Sequence, residues 1–295
     1  HDTIAKHLPL ESGIWYNNKM PSWANKVTLH HLLTHSSGIP DYLATFKLNL
    51  NRKYNEVIRD VVNSVADLPL EYEPGSKGTY CNTGYVLLGL VVEQVSKEPI
   101  AQFLNKSFFV PLKMTNTKMI GYEEGIKIQK SELSNKYAVR YFAIPAPKEH
   151  KAASSQDLIM IPVKQDVFYA PYADGGIAST VGDMIKWQNA LHTGKVISEK
   201  SYKQMVTPYY PTHTSTGKMK SSLGYGTYVA ILPNGKTYYH HEGRALGIRS
   251  DNGYVLEDKV AISMLSNLML FIKEEKRKEI DFSKPENQID LSYFA

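Results

Sequence analysis

Beyond residue 223 the chain changes its hydrophobic period, and this change restricts the fold more than any other feature of the sequence. Tyr225 to Leu232, Lys236 to His241, Leu246 to Ser250, Tyr254 to Leu256 and Lys259 to Leu265 read as successive short strands. Pro233-Asn234-Gly235 is a turn, and Asp251-Asn252-Gly253 carries the Asn-Gly signal of a hairpin. Short strands joined by tight turns pair with their neighbours in sequence, which gives an antiparallel meander.

Upstream the period is helical. Thr28 is placed to cap a short helix through Leu32, Leu33 and His35, which Gly38 and Pro40 stop. Val57, Ile58, Val61, Val62 and Val65 share one helical face. Tyr85 to Val95 is apolar nearly all round and belongs in a core, with Asn82 or Thr83 as its cap. Pro99 suits the first turn of a helix through Phe103 and Leu104. Thr180 to Asp183 has the form of a capping box ahead of Met184, Trp187 and Leu191, a core-facing stripe that Gly194 closes. Residues 111–172 show weak periodicity and several prolines, and read as a long irregular excursion. Helices followed by antiparallel strands make an α+β domain in which helices cover the sheet. We place this domain at residues 1–270, with a charged helix and tail at 271–295.

Several functional classes fall away. The net charge is +5, but the basic residues are scattered, and Lys273 to Lys278 is interleaved with Glu274 and Glu275. A nucleic-acid binder needs a stripe of uncompensated charge, so none is expected to bind. The single cysteine, Cys81, cannot form an intrachain disulfide and reads as a small buried filler. No apolar run reaches the roughly 18 residues of a transmembrane helix. There is no Gly-x-Ser-x-Gly elbow and no phosphate-cradling glycine loop. His31 and His35 have the spacing of a two-histidine zinc site, but no glutamate follows His31 and no third ligand is identifiable. A scaffold role is favoured for both, and no metal or organic cofactor is expected.

The candidate chemistry lies in Tyr80-Cys81-Asn82 and in His241-Glu242-Gly243. A tight turn at Cys81 would let the phenol of Tyr80 and the carboxamide of Asn82 face one cleft. A strand carrying His241 and then a glycine could form the opposite wall. Each has a plainer reading beside it: Tyr80 as a core tyrosine, Asn82 as a helix cap, His241 as a strand-edge histidine.

Four stretches in order resemble the class C β-lactamase and D-alanyl-D-alanine carboxypeptidase-like serine hydrolases. They are Leu32-Leu33-Thr34-His35-Ser36-Ser37-Gly38-Ile39-Pro40-Asp41-Tyr42, Tyr80-Cys81-Asn82-Thr83-Gly84-Tyr85, Gly175-Gly176-Ile177-Ala178-Ser179-Thr180 with Asp183, and His241-Glu242-Gly243 with Gly247. The resemblance implies a β-lactamase/penicillin-binding transpeptidase-like sheet flanked by helices, with a helical subdomain. It implies acyl transfer through a serine acyl-enzyme on a β-lactam, a D-alanyl peptide or an ester. In that reading Tyr80 exchanges protons with the nucleophile, and Asn82 hydrogen-bonds the substrate amide and a lysine. His241 attracts the substrate carboxylate, Gly243 lets the substrate backbone lie close, and the N–H of Arg244 is one oxyanion-hole donor. Family members of this kind usually work outside the cytoplasmic membrane.

One element departs from the pattern. The family's Ser-x-x-Lys nucleophile helix stands upstream of the segment that opens this chain, as do the first strands of its sheet. The literal match inside, Ser215-Thr216-Gly217-Lys218, lies in a polar stretch without helical periodicity and reads as chance. The expectation is therefore that the N-terminal strands and nucleophile helix lie outside residues 1–295, or that a second polypeptide supplies them. The alternative is a non-catalytic binding or regulatory module on the same fold.

Overall fold

The computed structural model describes residues 2–46, 53–121, 138, 140–145, 158–162, 172–213, 220–245 and 247–270. The proposed tail at 271–295 and the Ser215 to Lys218 match lie outside them, as does much of the 111–172 excursion.

The helical part is built on α1 (Ile4–His7), α2 (Leu29–Leu33), α3 (Tyr54–Asn63), α4 (Asn82–Ser96) and α5 (Ile100–Leu104). As the spacing predicts, Thr28 caps α2: its side chain accepts from the His31 N–H. The stripe of α3 is fully inside, with Val57, Val61 and Val62 at most 1% exposed. It packs on α4 through Val86, Leu87, Leu90 and Val91, and Trp15, Trp23 and Tyr42 complete one continuous core. Gly89 is required here, because a Cβ on it would lie 2.5 Å from Ala173 and from the Tyr172 ring.

The sheet part follows the predicted meander. β5 (Tyr210–His213), β6 (Lys220–Leu223), β7 (Tyr228–Ile231), β8 (Thr237–Ala245), β9 (Ile248–Val255) and β10 (Val260–Ser266) form one antiparallel sheet in sequence order. α6 (Val181–His192) lies over β9 and β10, and α7 (Glu199–Met205) follows it. Thr180 caps α6 by accepting from the Asp183 N–H. The Asp183 carboxylate does not complete the predicted box. It accepts instead from Asn116 N and Thr117 Oγ1 and pairs with Lys186, tying α6 to the segment after α5.

Two expectations are corrected. Asp251-Asn252-Gly253 is not a hairpin turn: all three residues lie inside β9, where Asn252 is paired with both His241 and Ser263. Gly253 is there for packing, since a Cβ would sit 2.5–2.6 Å from the Tyr238 ring and His240. The reversal between β8 and β9 instead uses Gly247, whose φ of +72° is the left-handed region glycine tolerates. Nor is the 111–172 excursion irregular where it is described. β1 (Lys118–Met119) pairs with β4 (Ile177–Ala178). β2 (Tyr141–Pro145), β3 (Leu158–Pro162) and β11 (Leu268–Leu270) form a third small sheet.

Candidate active site

Residues 34–42 leave α2 as a loop that supports everything around Tyr80. His35 adopts φ +54°, a left-handed conformation open to histidine more than to most residues. Its carbonyl accepts from Thr79 N at 2.8 Å, and Ser36 O accepts from Gly75 N at 2.8 Å. Gly38 has φ +72° and lies so close to the Tyr72 carbonyl that any Cβ would clash. The loop and the segment 71–79 therefore run hand in hand, delivering residue 80 to a fixed place.

The turn expected at Cys81 is absent. Cys81 is extended (φ −147°, ψ 116°), so its neighbours project to one side and it projects to the other. Cys81 itself is buried, with Sγ 3.3 Å from Ile39 O, and burial pushes its thiol up to about 11. That fits a filler and not a nucleophile. Tyr80 is 43% exposed, which removes the core-tyrosine reading. Its ring stacks on His35 at 4.2 Å, and Tyr85 stacks on the other face of His35 at 4.8 Å.

His35 is a structural imidazole. Its Nδ1 sits against the Cys81 backbone, 3.1 Å from the N–H and 3.2 Å from the carbonyl oxygen. Burial, with a further contribution from His241, lowers its pKa to about 3, which keeps the ring neutral. His31 has a different duty: its Nδ1 accepts from the Thr28 N–H at 3.2 Å, closing the cap of α2. Since α2 ends at Leu33, the pair does not share one helical face. No group of three metal-ligating side chains occurs among the described residues.

Asn82 is not the cap of α4; Cys81 takes that position and Asn82 opens the helix. Its backbone N–H and its Nδ2 both donate to Asp41 Oδ2, at 2.8 and 2.7 Å. Thr83 donates to Pro40 O and accepts from Tyr42 N, both at 2.9 Å, which pins the same loop to the helix start. Asp41 stands in the quoted sequence stretch, but its link to Asn82 spans 41 residues and no local pattern announces it.

The facing wall is β8. The His241 ring is 6.1 Å from the Tyr80 ring and 5.1 Å from Tyr228. Burial lowers the His241 pKa. Its Nδ1 lies 2.7 Å from Glu242 O, which can only accept, so Nδ1 carries the hydrogen and Nε2 the lone pair. A neutral ring in this tautomer can accept a hydrogen bond at Nε2. Gly243 has a neighbour of its own: a Cβ there would run into Ser250 Oγ on β9. Arg244 is exposed at the far end of β8, opposite Arg249. Behind His241 a cavity of about 240 Å³ opens between Met184, Trp187 and Leu191 of α6 and Tyr239 and Asn252 of the sheet. The α6 stripe thus lines a hollow and does not seal a core; Trp187 is half-buried and meets Phe108 edge-on at 5.7 Å.

The sequence match to known families is decisive at this point. The profile described as Beta-lactamase matches residues 1–281. The chain belongs to the Beta-lactamase family. Penicillin-binding protein 4* of Bacillus subtilis (strain 168) is 26% identical over 270 residues, covering 87% of this chain and 56% of that protein. A putative D-alanyl-D-alanine carboxypeptidase of Escherichia coli (strain K12) is 32% identical over 129 residues, or 43% of this chain and 29% of the relative. This Beta-lactamase family chain therefore spans little more than half the length of the Bacillus protein. Among solved structures, D-amino acid amidase from Ochrobactrum anthropi superposes with a TM-score of 0.70 at 20% identity, over 99% of this chain and 74% of that one. The octameric penicillin-binding protein homologue from Pyrococcus abyssi gives 0.65 at 25% identity, over 90% and 55%. These superpositions support the α+β fold of antiparallel sheet and flanking helices. No helix among the described residues is long and apolar enough to cross a membrane.

Proposed function

We propose that this Beta-lactamase family domain forms two walls of a serine hydrolase cleft that works by acyl-enzyme on a β-lactam, a D-alanyl peptide or an ester. The observation that carries the reading is the approach of Tyr80 and His241, at 6.1 Å, from separate halves of the fold. Tyr80 relays the proton of the nucleophile, and Asn82 meets the substrate beside it. His241, Gly243 and the Arg244 N–H form the strand side. The nucleophile and its lysine come from a Ser-x-x-Lys helix outside residues 1–295, in the same protein or in a second polypeptide. The free flank of β10 supports this, because β10 has a strand partner on one side only among the described residues. Val260, Ile262 and Met264 alternate along it and are 39–47% exposed, a poor arrangement for a sheet edge left in water.

Fluorescent penicillin and nitrocefin test the proposal on the full-length protein. A covalent adduct on the serine of a Ser-x-x-Lys motif is expected. Residues 1–295 alone are expected to remain unlabelled, and labelling of Ser215 would overturn that placement of the nucleophile. Absence of any adduct, with no ester turnover, favours the non-catalytic binding module.

A further inference from the structure

We infer that His35 is a positioning residue for Tyr80, and that the three-ring stack Tyr80–His35–Tyr85 sets the plane of the phenol against the sheet wall. The catalytic consequence rests on the proposed hydrolase reading; the stack does not. Tyr80 is too exposed for burial alone to hold its side chain. Its ring lies on His35 at 4.2 Å and 27°. The buried His35 lies in turn on Tyr85 at 4.8 Å and 29°. Offset stacking at such distances is a preferred arrangement of aromatic rings.

Position 35 makes three demands, and histidine meets all of them. The φ of +54° suits histidine or asparagine better than most residues. A polar ring edge meets the Cys81 backbone at Nδ1. A flat ring fills the space between two tyrosines. Asparagine satisfies the first two demands and leaves the third unmet.

The far end of the stack is tied to the sheet. The Tyr85 hydroxyl donates to Leu33 O at 2.9 Å, and the Gly226 N–H donates to the same oxygen at 3.4 Å. Gly226 has φ +62°, and a Cβ there would lie 3.1 Å from the Tyr85 hydroxyl. The next residue, Thr227, donates from Oγ1 to His240 O at 3.2 Å. His240 precedes His241, whose ring faces Tyr80 at 6.1 Å. The circuit therefore closes: the rings that support Tyr80 are anchored to the strand that Tyr80 faces. Removing the middle ring leaves the phenol free to tilt toward or away from that strand. A displacement of about 1 Å from reacting geometry can cost about 100-fold in rate.

The test uses the full-length protein with ring-labelled tyrosine, the Tyr80 resonances being assigned with Tyr80→Phe. A ring stacked on an imidazole is shifted upfield of free tyrosine. His35→Asn keeps the backbone conformation and the polar edge but removes the ring, so the Tyr80 resonances should return toward the free position. With nitrocefin as substrate, kcat is expected to fall by about 10- to 100-fold while KM stays within about 3-fold. A purely structural histidine would lower stability and leave the resonances and kcat of the folded protein alone. Tyr85→Leu leaves position 35 intact and tests the same stack if His35→Asn does not fold. It should move the Tyr80 resonances in the same direction and lower kcat by a smaller factor. Tyr80 resonances that neither folded variant moves overturn the inference. Resonances that move while kcat stays within about 2-fold overturn the positioning role. A protein that shows the upfield signature and its loss, but turns over neither nitrocefin nor an ester, retains the stack and loses the hydrolase reading.

Discussion

The two walls of the proposed cleft are held by different means. On the helical wall each site group is fixed by side-chain bonds across long sequence distances: Asp41 to Asn82, Thr83 to Pro40 and Tyr42, His35 between two tyrosines. On the sheet wall His241 owes its place to the backbone ladder, paired with Asn252, and to the alternation of side chains along β8. A wall fixed by side chains fails locally when one is removed. A wall fixed by a ladder fails when register or strand packing is lost.

Chemistry is where the walls should differ most. Tyr80→Phe in the full-length protein removes the phenolic proton and should lower turnover by about two to four powers of ten. His241→Ala removes one neutral hydrogen-bond acceptor, and should weaken kcat/KM by only about 5- to 10-fold. Steady-state kinetics on one substrate compare the two. Equal losses would show that His241 has a part in proton transfer, and near-normal Tyr80→Phe turnover would remove Tyr80 from the mechanism.

Packing separates the halves next. Leu87 is 0% exposed in the large core around α4, and Leu87→Ala should cost about 2–5 kcal/mol. Val255 belongs to a small cluster with Ala230 and Tyr238 on the sheet, and its truncation removes fewer carbons than that of Leu87. Val255→Ala should cost about 1–2 kcal/mol by the same transfer and cavity terms. Urea unfolding of each variant measures this, and the comparison breaks if the sheet substitution proves the more damaging.

The halves were also unequally legible in the sequence. Apolar periodicity located α3, α4 and α6, and capping chemistry placed Thr28 and Thr180, because those signals act within a turn or two. The Asn-Gly signal at 252–253 misled, since the glycine relieves contact with Tyr238 and His240, a cross-strand demand that resembles turn chemistry only in composition. Asn82 read as a cap because asparagine before an apolar run commonly is one; a carboxylate 41 residues away claimed it instead. Tyr80 and His241 were found through motif order, while the extended backbone at Cys81 and the tautomer of His241 depend on contacts that no spacing encodes.

Acid should expose the helical wall first. The neutral His35, with its pKa lowered to about 3 mainly by burial, becomes free to take a proton near 6.5 once the chain unfolds. Between those values the unfolded chain binds more protons, so the contribution is complete above about pH 6.5 and is lost as pH falls toward 3. One such group gives a slope of about 1.4 kcal/mol per pH unit. His192, lowered to about 4 by burial, adds a sheet-side share where it stacks on Tyr254. His35→Asn keeps a residue suited to positive φ and removes the helical share. Denaturant titrations from pH 4 to 7 should show a shallower slope in that variant; an unchanged slope would assign the acid sensitivity to the sheet side.

The smallest effect expected tests whether charge, as well as the ladder, holds the sheet wall. Lys236 Nζ lies 2.5 and 2.7 Å from the two oxygens of Asp258, joining the turn before β8 to the turn after β9. Both side chains are more than a third exposed, so water and salt screen the pair while ordering both side chains costs entropy. Beside it, Leu256 N–H donates to Thr237 O at 3.0 Å, and that backbone bond survives any side-chain change. Lys236→Ala should therefore cost less than about 1 kcal/mol, and the cost should shrink further at high salt. A loss of several kcal/mol in urea unfolding, undiminished by salt, would mean that side-chain contacts hold this wall as they hold the helical one.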